Sequence, residues 1–185
     1  MRAQLFPVAL LLCLLASSIT TAEQFTTFPD HKELRSPDGS LVIRSVEHPA
    51  KPSDFSGVFR TLVMEEVATG RVRKLYDYVG RVAVAWSGNE FIIVTDYVSR
   101  RTSRALIFPA APNRDGLVLD KEHLASLLPE ARYVHLRQND HVFVEAAHVD
   151  GRYFTLSVWG YGQKDANGFR WVCHYDLIAG TAVCE

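Results

Sequence analysis

Cysteine is scarce in this chain, with three residues in 185. That is too few for a fold held together by disulfides. Charge of one sign is also missing: 20 Lys and Arg stand against 21 Asp and Glu, and the pI is near 6.7. A protein that neutralises phosphates carries a basic patch and a clearly basic pI, so no nucleic-acid partner is expected. No hydrophobic run reaches the roughly 20 residues that a membrane-spanning helix needs. Catalytic signatures are absent too. There is no Gly-x-Ser-x-Gly elbow, His-Glu-x-x-His, Walker loop, Gly-x-Gly-x-x-Gly or Cys-x-x-Cys. No catalytic residue, cofactor or metal ion is therefore expected, and binding is favoured over catalysis.

What is present is the composition of an ordinary folded protein, 48% hydrophobic and 22% charged. The N-terminus has its own layout: Arg2, an apolar run over 5–16, then small and polar residues over 17–22. This is the three-part pattern of a secretory signal peptide, with cleavage expected after Ala22. Removal would leave 163 residues (19 basic, 21 acidic) with no stable membrane anchor. The expected location is outside the cytoplasm, periplasmic in a Gram-negative bacterium and otherwise secreted. Export also oxidises thiols, so Cys173 and Cys184, the two cysteines beyond the leader, are expected to pair.

Residues 23–35 show no sustained period and read as a lead-in segment; residues 36–185 read as one β-rich domain. Short strand-like runs fill the latter: 41–46, 58–67, 71–78, 82–86, 91–97, 105–108, 133–137, 141–148, 153–159, 169–176 and 181–184. One helix is expected after Asp120, a good N-cap. Leu119 and Leu124 are placed as a hydrophobic staple, and Pro129 ends it.

The turns between the runs recur. Asp38-Gly39, Gly88-Asn89 and Asp150-Gly151 each precede an apolar strand, and Gly70, Gly116 and Gly180 follow them at lags of 28 to 31 residues. This three-fold recurrence predicts three related antiparallel units. Ser36-Pro37-Asp38-Gly39-Ser40-Leu41, Trp86-Ser87-Gly88-Asn89-Glu90-Phe91 and the Ala-Thr-Gly-Arg and Ile-Ala-Gly-Thr turns resemble β-propeller blades of the WD40-like and TolB-like kind. Propellers close with about 4 to 8 four-stranded blades, and three units fall short of that. The expected fold is all-β with one short helix and three antiparallel sheet units. A propeller-like stack, a sandwich and a partial propeller completed by a partner all satisfy it.

Three sets of residues are candidates for function. His141, His148 and His174 each have an aspartate nearby (Asp140, Asp150, Asp176), the pairing a general base or metal ligand uses. They would serve a small exported hydrolase or metal-binding protein, the alternative to binding; a third reading is an assembly component pairing through its sheet edges. Along the strand after Gly151, Tyr153, Thr155, Ser157, Trp159 and Tyr161 share one face, and Phe154, Leu156 and Val158 the other. Tyr153, Trp159 and Tyr161, with Gln163 and Lys164 from a projecting loop over 161–168, form the candidate protein-binding surface. On the next strand Phe169, Trp171, Cys173 and Tyr175 are expected to face the core. Finally, Arg100, Arg101 and Arg104 read as a solvated hairpin tip. The cysteines also predict register: a four-residue loop over 177–180 places Cys173 opposite Cys184, and a three-residue loop sends them to opposite faces.

Overall fold

The computed structural model describes residues 25–49, 58–112 and 114–185, and the predicted leader with Cys13 lies outside them. The strands are β1 (Thr26–Phe28), β2 (Glu33–Arg35), β3 (Leu41–His48), β4 (Phe59–Glu66), β5 (Val72–Val79), β6 (Val82–Ser87), β7 (Phe91–Asp96), β8 (Thr102–Pro109) and β9 (Leu117–Leu119). Two helices follow, α1 (Lys121–Leu127) and α2 (Glu130–Gln138). The chain then ends with β10 (His141–Asp150), β11 (Tyr153–Gly162), β12 (Asp165–Asp176) and β13 (Thr181–Cys184). No described helix is long and apolar enough to cross a membrane.

The strands form three four-stranded units, as the recurring turns predict. Unit one is the antiparallel meander β2-β3-β4-β5, unit two is β6-β7-β8-β9, and unit three is β10-β11-β12-β13. β1, from inside the lead-in, pairs with β6 and adds a fifth strand to unit two. Units two and three also share a seam. The start of β8 pairs in parallel with β10 through Thr102 and Ser103, whereas its later residues Ala105 to Ile107 pair with β9. One strand edge thus forks into two sheets.

Unit two is the middle layer. Every residue of β6 is buried, as are five of six in β7, which explains their near-continuous apolar sequences. One face carries Val82, Val84, Trp86, Ile92, Val94, Leu106 and Phe108 against Ile43, Leu62, Met64 and Tyr78 of unit one. The opposite face carries Ala85, Ile93, Ala105 and Ile107 against Val144, Phe154, Leu156, Val158, Cys173 and Tyr175 of unit three, with Leu124, Leu128 and Leu136 from the helices. Polar ties cross both seams. The Tyr76 hydroxyl donates to Asp96, and Arg104 reaches both; Thr95 Oγ1 accepts the Ala146 amide at the β10 bulge, 2.9 Å away.

Two local expectations change. Residues 133–137 belong to α2 rather than to a strand. The helix follows Pro129, Leu136 reaches the second core with no exposed surface, and Asn139 Nδ2 closes the last turn on the His135 carbonyl at 2.7 Å. α1 begins as expected, with the Asp120 carboxylate accepting the His123 amide at 2.9 Å. Arg104 is the second correction. Arg100 and Arg101 lie exposed in the β7–β8 turn, but Arg104 sits in β8 against Asp96.

Candidate functional site

Strand alternation builds the outward face of unit three. Phe154, Leu156 and Val158 point into the core and are at most 1% exposed, so Tyr153, Thr155, Ser157 and Trp159 point away from it. The β10–β11 register sets Phe143 opposite Trp159 and His141 opposite Tyr161. Both pairs stack: the Phe143 and Trp159 centroids are 3.9 Å apart at 11°, and those of His141 and Tyr161 are 4.5 Å apart at 6°. Trp159 and Tyr161 lie 6.2 Å apart at 20°, so four rings stand as near-parallel slabs on rigid sheet. Their exposure is graded, from buried Phe143 through half-buried Trp159 to Tyr161 at 43%.

Gly160 holds this geometry from behind. A Cβ there would lie 2.6 Å from the His141 carbonyl oxygen and 2.7 Å from the Phe169 ring. Only glycine lets β10 and that ring approach so closely.

The expected projecting loop over 161–168 is a tight turn instead. β11 runs to Gly162, which pairs with Asp165, leaving Gln163 and Lys164 as the exposed two-residue tip. The Asp165 carboxylate accepts the Gly168 amide at 3.0 Å and lies 3.5 Å from His135 Nδ1, which ties the tip to α2. The structure therefore brings Trp159, Tyr161, Gln163 and Lys164 together at one end of β11. Tyr153 shares their face but lies about 20 Å away at the other end of the strand, with the Arg152 guanidinium 5.3 Å from its ring centroid.

The second strand behaves as expected. Cys173 and Tyr175 are buried, Phe169 and Trp171 pack half-buried against the same core, and Arg170, Val172 and His174 are exposed. Cys173 and Cys184 face each other and are disulfide-bonded, with Asp176 opposite Thr181 across the four-residue loop.

The histidine–aspartate pairs do not assemble. Asp176 accepts Arg152 Nε at 2.9 Å and the Ile178 and Ala179 amides at 2.9 and 3.0 Å, so it caps the last turn rather than orienting His174. Those bonds, the Arg152 contact foremost, hold its carboxyl well below the usual range. His148 and Asp150 are exposed at the far end of β10, and the His141 ring stacks on Tyr161. Among the described residues, no group of three or more His, Cys, Asp or Glu converges on a point where a metal ion would sit.

Sequence reasoning missed a polar chain on the outward face of unit one. Thr61 Oγ1 donates to Asp77 at 2.6 Å and accepts from His48 Nε2 at 3.0 Å, and Lys74 contacts the same carboxylate. Partial burial pushes the Asp77 carboxyl up, but the bonds from Lys74 and Thr61 outweigh it and its pKa is lowered overall. The chain lines a cavity of about 590 Å³ with Val46, Phe59 and Val63. Because the hydroxyl proton goes to Asp77, the imidazole acts as donor, the reverse of what activates a nucleophile. Positions 48, 61 and 77 meet only through the β3–β4–β5 register, and no spacing in the sequence signals it.

No protein-family model matches this chain, and no curated protein matches it.

Proposed function

We propose that this is an exported, non-catalytic protein-binding module of the interaction, inhibitor or immunity type. Its recognition surface is the outward face of unit three, centred on Trp159 and Tyr161 with Gln163 and Lys164 at the rim. The observation that carries this reading is the four-ring stack: large aromatic area, held rigid by cross-strand pairing and Gly160, with Tyr161 still 43% exposed. Preformed aromatic area of this kind costs little entropy on association and is enriched among residues that dominate binding energy. Val172 and Val183, 45% and 67% exposed on neighbouring strands, extend the apolar area. The disulfide supports a location outside the cytoplasm.

The test is affinity capture by the full chain from the envelope fraction of its own cells, repeated with Trp159→Ala. Loss of the partner by a variant that still unfolds cooperatively is the expected result. Capture of the same partner by both proteins would remove this surface, and hydrolytic activity or stoichiometric metal without a partner would replace the reading.

A further inference from the structure

The two outer layers of the stack leave comparable faces open. On unit one, Val46, Phe59, Val72 and Val79 are 38 to 56% exposed; on unit three, Tyr161, Val172 and Val183 are 43 to 67% exposed. Within the chain, each face of unit two is covered by the face of another four-stranded meander. The same succession continued past unit three calls for one more meander face, and continued before unit one it calls for another. A second copy of this chain supplies both.

We infer that the chain self-associates with the outward face of unit three of one copy seated on the outward face of unit one of the other, the two contacts closing a ring of six sheet units. This rests on the reading of the unit-three face as a protein-binding surface, and it names the partner. Area supports closure. The outward face of unit one, three strands of eight residues and one of three, measures about 430 Å², from strand spacings near 4.8 Å and a rise near 3.3 Å per residue. One contact would bury about 850 Å² in total, at the weak end for specific complexes, and two would bury about 1,700 Å², within the standard size for stable ones. Heterologous contacts of this kind form rings when the rotation closes, and six units falls inside the range in which four-stranded sheets close radially.

The mass of the purified full chain by light scattering, compared with Val46→Lys and Val172→Lys variants, tests this. The wild type is expected at the mass of two chains. Each variant alone is expected at half that mass, because either substitution damages both contacts. Near-UV circular dichroism checks folding, and Val72→Lys and Val183→Lys, at more exposed positions, replace a variant that fails to fold. A monomeric wild type, a Val46→Lys protein that stays dimeric, or an open-ended assembly each overturns the inference. A monomer that still captures a partner through Trp159 removes self-association and keeps the binding surface; a monomer that captures nothing removes both.

Discussion

Unit two and its neighbours are built alike, as four-stranded antiparallel meanders, but they differ in how many faces they hide. β6 and β7 of unit two are apolar on both faces, and all but Phe91 of their residues are buried. β11 of unit three alternates strictly, with Phe154, Leu156 and Val158 inside and Tyr153, Ser157 and Trp159 outside. The alternating strand is where function is free to reside. A substitution in unit two meets close packing on both sides, whereas one on an outward face of unit one or three meets packing on one side only.

This contrast is sharpest for inward residues of an outer unit. Phe154→Ala is expected to cost about 3–5 kcal/mol in urea unfolding, since the ring is 1% exposed and packs on Tyr175. A cost below about 1 kcal/mol would mean that the seam between units two and three is not a real core. Next comes the covalent tie. Cys184→Ser, or reduction of the wild type, is expected to cost about 2–3 kcal/mol for a loop of this length, read as a shift in urea midpoint.

The polar tie between units one and two ranks third. Asp96 is 3% exposed and accepts Tyr76 and Arg104; because Arg104 is partly solvated, Asp96→Asn is expected to cost about 2 kcal/mol. The Tyr76 hydroxyl supplies a pH signature. Burial first, then the Asp96 carboxylate, pushes its pKa above the usual value. A tyrosine raised in the folded state contributes stability that is complete below its unfolded pKa near 10 and is lost as pH rises beyond it. A loss of about 1 kcal/mol by pH 11, reduced in Tyr76→Phe, is expected from pH-dependent unfolding. The smallest effect belongs to the outward row: in the monomeric Val46→Lys background Tyr153→Ala is expected to stay within about 0.5 kcal/mol, and a larger change would show that the ring packs within its own chain.

Strand existence was legible from the sequence because turn glycines bracket apolar runs, and the pairing of Cys173 with Cys184 was legible because a loop length fixes register. Residues 133–137 misled because a short apolar run has no period long enough to separate strand from helix; what decides it is the docking of Leu136 into the second core. β1, β2 and β9 have three residues each, too short to show a period, and β1 holds its place only through the distant β6. The candidate site divides in the same way. Which side chains share a face on β11 follows from period two, but the stacking of Phe143 on Trp159 and the meeting of His48, Thr61 and Asp77 depend on how distant strands are registered.

The pairing of β1 with β6 fixes an order in time. Thr26 meets Val84, so β1 waits, unpartnered, until all of unit one has been made and β6 follows it. During that interval its row of amides and carbonyls is open, and β6, once made, is an unsealed edge until β1 returns to it. The closing of the middle layer is therefore a late, long-range event of the kind that slows folding, and a chain that begins after Pro29 would lack the strand that performs it.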